Sequence, residues 1–407
     1  ITNNVIYMRT TSTSTTGIYN SNGANPTITN NTISMCSGCS ASSSIAINNS
    51  ASSPIIRNNW IHGGSGSPSY GIYNVTSATA VITNNIIFGG QGPDSAGIYE
   101  TNAASAVITN NVVIGGSGGH SGYSTDGLLA GTNSHPTITN NIFISNSSNR
   151  NVVREGFASS DFLSLENNVF WDIYVAGTNR VFRDENATNI NTIAGIEALT
   201  DWTGGADKAR GNILLPSGIA GSPFVNVPDF WAGTSQNNTG SASILRIPDG
   251  TCAGKYTNGE YIEWNADGIA RQITCNSATN PDELTITPAL SSASLNKSGI
   301  EIRYWGTKSL GGSQYVIDYH LQQNTLPAQT WNNLRYGGKD TSGNNCGGPG
   351  ATGPGTQSCG SVTTDKDGNA RTTTNAGLAN NNTVPNGSGG ATAAVPGGFS
   401  IGPYESD

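Results

Sequence analysis

The stretch Val107-Ile108-Thr109-Asn110-Asn111-Val112-Val113-Ile114 contains the pattern that decides the fold. An aliphatic residue and a spacer precede an Asn-Asn pair, and a second aliphatic residue follows it. Seven copies occur before Asp172. They recur at a nearly constant interval of about 27 residues, and a repeat of this period indicates a stacked solenoid. The pairs are Asn3-Asn4, Asn30-Asn31, Asn58-Asn59, Asn84-Asn85, Asn110-Asn111, Asn140-Asn141 and Asn167-Asn168.

A second marker keeps the same period. Gly17-Ile18-Tyr19, Gly71-Ile72-Tyr73, Gly97-Ile98-Tyr99 and Gly127-Leu128-Leu129 each precede an Asn-Asn pair by the same interval, and Ile45-Ala46-Ile47 takes this place in the second repeat. A unit of about 27 residues is too short for a helix and its crossover, but it suits one rung of a right-handed parallel β-helix. The sequence therefore predicts an all-β solenoid whose rungs bury a shared aliphatic ladder.

Alternation along each strand assigns the faces of the predicted rungs. The Asn pairs fall at a bend, because Asn tolerates positive φ and its amide can bond to the equivalent amide one rung away. A ligand-binding row is the alternative to this structural ladder. The predicted inward residues are Ile28, Ile56, Ile82, Ile108, Ile138 and Leu165 on one strand, and Ile18, Ile72, Ile98 and Leu128 on another.

Composition favours a secreted protein. The chain is 35% hydrophobic and 11% charged, with 53 glycines and a formal net charge of -8. No basic stripe is present to bind phosphates, so nucleic acid is not an expected partner. No apolar run approaches the ~20 residues of a membrane span. The chain opens at Ile1 inside a rung, so we expect a mature or trimmed product at an extracellular or cell-surface location.

Six cysteines form three pairs that are local in sequence. They are expected to form three disulfides in an oxidising compartment. The CxxC spacing of the first pair also fits a redox or zinc half-site, although no second CxxC accompanies it. The pairs are Cys36 with Cys39, Cys252 with Cys275, and Cys346 with Cys359.

The repeat rhythm is lost after Asp172, and the pattern changes again near residue 231. Five short strand-like segments between 243 and 304 are separated by turn residues, which predicts an inserted antiparallel β-barrel or sandwich. The expected division is a β-helix at 1–230, the insert at 231–306, and a closing segment with long loops packed on the solenoid at 307–407. In this last segment Asp365, Asp367 and Asn369 place oxygen ligands on alternate positions, which suits either Ca²⁺ or a simple Asx turn.

The Asn-Asn rungs resemble the right-handed parallel β-helix superfamily typified by pectate lyases and other polysaccharide-active proteins. Residues 367–371 and 399–405, with Asp318-Tyr319-His320-Leu321 upstream, are similar to the terminus of bacterial choice-of-anchor surface proteins, with Pro403 in place of that pattern's Ala. The resemblance implies a β-helix at a microbial surface. It does not imply an activity, because these are packing and turn residues.

Catalysis would depend on few residues. Asp94 and Asp126 are predicted two positions apart on neighbouring rungs, roughly 8 Å, which is within the range of an inverting carboxylate pair. His120 shares a loop with Asp126 and completes the catalytic candidates. Solvated corners are the alternative interpretation of these acids, since no ladder of acids and no basic partner accompanies them in the sequence.

Binding or assembly is the favoured function. Tyr19, Ile47, Tyr73, Tyr99 and Leu129 are predicted to form an outward stripe, which would be an interface or a sugar-stacking platform unless the C-terminal loops cover it. The start inside a rung also predicts an uncapped edge and head-to-tail self-association into filaments. The sequence thus predicts a structural or adhesive surface protein, with a polysaccharide lyase or hydrolase, or a non-catalytic carbohydrate-binding protein, as alternatives.

Overall fold

A computed structural model of the chain describes residues 1–8, 14–35, 42–64, 66–90, 92, 94–116, 125–145, 151–172, 181–185, 188–203, 208–215, 224–226, 230–235, 241–246, 258–264, 269–275, 283–295, 297, 300–306 and 318–321.

Three sheets wind around one core, and each rung contributes one strand to each sheet. Sheet A comprises β3 (Thr27–Thr29), β6 (Ile55–Arg57), β9 (Val81–Thr83), β12 (Val107–Thr109), β15 (Thr137–Thr139), β18 (Ser164–Glu166) and β22 (Ala209–Arg210). Sheet B comprises β1 (Val5–Tyr7), β4 (Thr32–Ser34), β7 (Trp60–His62), β10 (Ile86–Phe88), β13 (Val112–Ile114), β16 (Ile142–Ser145), β19 (Val169–Asp172) and β23 (Ile213–Leu214). Sheet C comprises β2 (Ser14–Ser21), β5 (Ser43–Ser50), β8 (Ser69–Val75), β11 (Ser95–Glu100), β14 (Thr125–Ala130), β17 (Val153–Glu155), β20 (Phe182–Arg183) and β21 (Asn189–Ile190).

The strands within these sheets are parallel, except that β21 is antiparallel to β20. The register matches the sequence repeat: Ile108 lies beside Ile82 and Ile138. All ten predicted inward residues are buried, with Ile18 the most accessible at 7%. The parallel β-helix that the sequence predicts is therefore confirmed.

The Asn-Asn pairs form the bend between sheets A and B, as predicted. The first Asn of every pair has φ between 55° and 59°, in the left-handed region. The second Asn of each pair bonds through its side chain to the second Asn of the next rung, from Asn4 to Asn168. Because these amides also satisfy backbone carbonyls at the bend, the row is a structural ladder.

The ladder continues into an eighth rung that the sequence pattern missed. Asn212 accepts hydrogen bonds from the backbone and side chain of Asn168, 44 residues earlier. Gly211 takes the place of the first Asn and has φ 65°. The interval before this rung contains α1 (Ile193–Glu197), whose N-terminus is capped by the Thr192 side chain. The loss of rhythm after Asp172 is thus an insertion within the solenoid.

An antiparallel sheet follows the solenoid in sequence. Its six strands are, in spatial order, β25 (Phe230–Ser235), β30 (Ile300–Gly306), β27 (Tyr261–Trp264), β28 (Arg271–Cys275), β29 (Glu283–Thr287) and β26 (Ile244–Arg246). Leu245, Ile262, Ile273 and Ile286 lie in its own buried cluster. The predicted antiparallel insert is confirmed as a single six-stranded sheet. Strand β25 is an additional strand that was not predicted from the sequence.

The chain returns from this sheet by one further pairing. Strand β31 (Asp318–Leu321) is antiparallel to β24 (Phe224–Asn226), which follows the eighth rung. The last parallel strand ends at Leu214 and the antiparallel sheet spans Phe230 to Gly306. The proposed boundaries at 230 and 306 stay a prediction. In the described part of the chain, no helix has the length and apolar character needed to cross a bilayer.

Candidate functional site

The outer face of sheet C carries a cluster of three tyrosines. The ring centroids of Tyr70, Tyr73 and Tyr99 lie 5.1 to 5.4 Å apart, and the Tyr73 and Tyr99 rings are stacked. The Tyr70 side chain is buried. Tyr73, Tyr99 and Leu129 are half-buried and pack against the buried cluster that contains Tyr70. We call these four residues the tyrosine face. They form a shallow apolar surface outside the main core.

The position of Ile47 corrects the predicted stripe. Ile47 lies in register with Ile18 and Ile72 and is fully buried in the core, so Asn48 occupies the outward position beside Tyr73. The sequence prediction aligned Ile45-Ala46-Ile47 with the Gly-Ile-Tyr marker of the other rungs. This alignment starts one residue too early, because Ala46 occupies the position that is glycine in the other rungs. Tyr19 does lie in the outward row, and its 61% exposure makes it the most accessible aromatic residue of that row.

Asp126 lies at one margin of the tyrosine face. It is beside Ala96, which is in turn beside Tyr70, and its buried carboxylate is 3.9 Å from the Arg154 guanidinium. The predicted offset of two residues between Asp94 and Asp126 is present, since Asp126 pairs with Ala96 and Asp94 lies two residues before Ala96. Arg154 is a basic partner that the sequence reading did not foresee, because only the pairing of strands from separate rungs places it there.

The hydroxyls of Tyr70 and Tyr73 remain protonated over a wide pH range. Burial, and then the charge of Asp94, raise the pKa of Tyr70 well above its usual range. Burial also raises the pKa of Tyr73. These hydroxyls are therefore hydrogen-bond donors at any physiological pH.

Several predicted site residues lie outside the described residues. These are the catalytic candidate His120, the cation ligands Asp365, Asp367 and Asn369, and the cysteines other than Cys275. Cys275 takes part in a disulfide in the structure. The pairing of the six cysteines and the Ca²⁺ site stay predictions.

A second polar row, inside sheet C, was not found from the sequence. Asn20 bonds to Asn49, Asn49 to Asn74, and Asn74 to the buried carboxylate of Glu100. The other Glu100 oxygen accepts from the backbone N–H of Ala106 at 3.3 Å. Burial raises the pKa of Glu100 to about 7, and these hydrogen bonds oppose that rise. Glu100 ends the amide row and is fully buried.

Three carboxyl groups meet where the solenoid becomes irregular. Glu155, Asp184 and Glu185 each bring a carboxylate oxygen within 4.8 Å of the others. Oxygen ligands of this kind suit a hard cation such as Ca²⁺. Protonation is the alternative to a bound cation, because it removes the repulsion between the carboxylates. Burial, and then the charges of neighbouring acids, raise the pKa of Glu155 to about 9. Hydrogen bonding to Asp184 and burial likewise raise the pKa of Glu185.

Replacing Glu155 with glutamine should flatten the pH dependence of stability. Because the folded pKa of Glu155 is raised from 4.5 to about 9, its contribution is fully present below pH 4.5 and is lost as the pH rises towards 9. Glutamine keeps an oxygen for the Phe162 N–H, so Glu155→Gln should be more stable than the wild type at pH 8 by about 2 kcal/mol. Urea unfolding between pH 5 and 9 measures this. Glu260→Gln, in the antiparallel unit, is the control, and equal pH slopes for wild type and Glu155→Gln would contradict the prediction.

Comparison with known proteins agrees with the fold. Residues 1–113 match the family model described as a right handed beta helix region. No curated protein and no solved structure gives a significant match to the chain.

Proposed function

We propose that this chain, whose first 113 residues match a right-handed β-helix region, is a secreted or cell-surface adhesive protein that binds polysaccharide without cleaving it. Low charge and the similarity of its C-terminal residues to choice-of-anchor surface proteins support the location. The binding surface in this proposal is the tyrosine face. The observation that carries the proposal is the close grouping of three tyrosine rings on the outside of a solenoid.

A polysaccharide fits the chemistry of this surface. Half-buried aromatic rings offer flat apolar area with little conformational entropy to lose, and sugar rings have apolar faces that can pack on them. Arg154, held by the buried Asp126, and Asn48 lie at the margins and can bond to sugar hydroxyls. Successive rungs repeat every ~4.8 Å, so the face extends in steps along the solenoid and suits an extended chain.

The Tyr99→Leu variant tests the proposal. Leu129 occupies the same column one rung later, so leucine at 99 should preserve the packing while removing one ring. Losing one stacked ring should weaken binding by about 1 kcal/mol, or about fivefold. Calorimetric titration with a panel of neutral and uronate polysaccharides measures this.

The control is Val81→Thr, an exposed residue on sheet A in a column that already contains Thr27 and Thr137. It should leave affinity unchanged. Equal affinities for wild type and Tyr99→Leu, or no binding to any glycan of the panel, would refute binding at the tyrosine face.

Polysaccharide cleavage is the second candidate. The observation that favours it is the two-residue offset between Asp94, which immediately precedes β11, and Asp126 on the neighbouring strand β14, beside the same face. Product analysis of the same incubations tests it. Unsaturated or reducing-end products that disappear with Asp126→Asn would identify an enzyme, whereas products formed at the wild-type rate would remove Asp126 from the mechanism.

Head-to-tail self-association is a separate part of the proposal. Low net charge per residue weakens repulsion between copies. Light scattering and electron microscopy across concentration distinguish filaments from a strictly monomeric species.

A further inference from the structure

The outward row of sheet C continues beyond the tyrosine face. Leu129 lies beside Arg154 on β17, and Arg154 lies beside Arg183 on β20. The row therefore changes along the solenoid from aromatic to basic. We call it the outer row of sheet C, and its members from β2 to β20 are Tyr19, Asn48, Tyr73, Tyr99, Leu129, Arg154 and Arg183.

The outward direction of both arginines follows from their neighbours. Val153 and Phe182 belong to the solenoid core and lie directly before them on β17 and β20. Because side chains alternate along a strand, Arg154 and Arg183 are directed away from that core. Both are half-buried, and the Arg154 side chain keeps 25% of its surface exposed. Two guanidinium groups are thus partly accessible on the same face as the tyrosine rings.

The acids close to the two arginines are directed mainly to the inner side of the sheet. Glu155 alternates with Arg154 on β17 and is 4% exposed. Its carboxylate forms the cluster with Asp184 and Glu185 described above. The buried Asp126 carboxylate lies 3.9 Å from the Arg154 guanidinium and holds it. The outer row of sheet C therefore ends in two guanidinium groups above acids that are buried or half-buried.

We propose that the outer row of sheet C from Tyr73 to Arg183 binds an extended anionic polysaccharide, whose charged groups are carboxylates or sulfates. This inference rests on the proposed function and adds the charge of the ligand and its direction along the solenoid axis. Sugar faces pack on Tyr73 and Tyr99, and anionic groups meet Arg154 and Arg183, which lie one rung or ~4.8 Å apart. A guanidinium group donates two parallel hydrogen bonds to a carboxylate or a sulfate, and a neutral chain offers no such acceptor.

The net charge of the protein opposes a polyanion, but it does not decide the outcome. The chain carries a formal net charge of -8. Charges separated by more than ~8 Å are largely screened at physiological ionic strength, whereas groups in hydrogen-bonding contact are not. The two arginines therefore determine how this face interacts with an anionic group that reaches it.

Three cellulose derivatives test the proposal, because they share one extended backbone and differ in charge. In calorimetric titrations of the full chain, the better of carboxymethyl cellulose and cellulose sulfate should bind about tenfold more tightly than neutral hydroxyethyl cellulose. High salt should weaken binding of the anionic derivatives alone. The preferred anionic derivative identifies the carboxylate or the sulfate as the ligand group.

Substitutions locate the effect. Arg183→Gln should weaken binding of the anionic derivative about fivefold more than binding of hydroxyethyl cellulose. Arg154→Lys is the second variant, since lysine keeps a positive partner for the buried Asp126 but lacks the fork, and it should also weaken anionic binding. Arg57→Gln is the matched control, because Arg57 is exposed on sheet A and follows the core residue Ile56. It should leave both affinities unchanged.

The outcomes separate this inference from the proposed function. Equal affinities for charged and neutral derivatives, or equal losses in Arg183→Gln and Arg57→Gln, would overturn the inference, and neutral binding that Tyr99→Leu weakens would then leave the proposed function standing. Charge-dependent binding that Arg183→Gln weakens and Tyr99→Leu does not would support the arginines and overturn the tyrosine face. Tighter binding of a single-stranded oligonucleotide than of either anionic derivative would assign the row to nucleic acid and overturn the inference.

Discussion

Replacing Asn111 with leucine is expected to lower the free energy of unfolding by about 4 kcal/mol. The Asn111 amide donates to the carbonyls of Ile82 and Thr109 and to the Asn141 side chain, at 2.9 to 3.0 Å. Its oxygen accepts from the backbone and side chain of Asn85. Leucine removes these five buried hydrogen bonds. The loss of a partner costs roughly 1 to 3 kcal/mol per buried group, and the total is reduced because some groups keep a second bond, such as the Thr109 carbonyl with the Asn84 N–H. Urea unfolding monitored by circular dichroism measures the loss.

Asn110→Gly is the matched control for this prediction. Asn110 supplies the positive φ of the bend, and Gly211 already fills the equivalent position in the eighth rung. Glycine adopts this conformation without strain, so we expect a change below about 1 kcal/mol. Similar losses for Asn110→Gly and Asn111→Leu would mean that backbone conformation, and not the amide ladder, dominates the stability of the bend.

The bend could be predicted because its cause is local. Asn at positive φ, repeated with the period of one rung, is visible in the sequence, and all seven pairs fall where expected. The eighth rung was missed because Gly211 satisfies the same backbone requirement without resembling Asn. Ile47 was misplaced for a related reason: Ala46 fits a column that the other rungs fill with glycine, and the shift of one residue moved Ile47 to the wrong face.

The site residues that the sequence did not predict are brought together by contacts between rungs. Tyr70 joins the tyrosine face because Tyr70, Ile45 and Ala96 form a second outward row on sheet C. The contact of Arg154 with Asp126 depends on the strand register of an irregular rung. The same is true of the contacts of Glu155 with Asp184 and Glu185. Spacing in the sequence does not predict such registers, because the loops between these strands differ in length from rung to rung.

Gly97→Val is expected to lower the free energy of unfolding by about 3 kcal/mol. A Cβ atom at position 97 would lie 2.5 Å from the Val113 side chain and 2.7 Å from the Gly127 carbonyl oxygen. The carbonyl belongs to the neighbouring rung and cannot move without disturbing the parallel pairing. Overpacking of this kind costs typically about 1 to 3 kcal/mol, and valine adds two methyl groups to the clash. Chemical denaturation of the two proteins measures the difference.

Ala46→Gly provides the opposite exchange in the same column. The rung that contains Ala46 already accommodates a Cβ atom at this position. Removing the Cβ atom should cost only about 1 kcal/mol, through lost burial and greater flexibility of the unfolded chain. An unfolding free energy for Gly97→Val close to that of the wild type would mean that the rungs can separate locally at little cost. The glycines of the Gly-Ile-Tyr marker would then reflect something other than close approach of the backbones. If the expected loss is found, the marker is explained by the same packing that sets the spacing of the rungs.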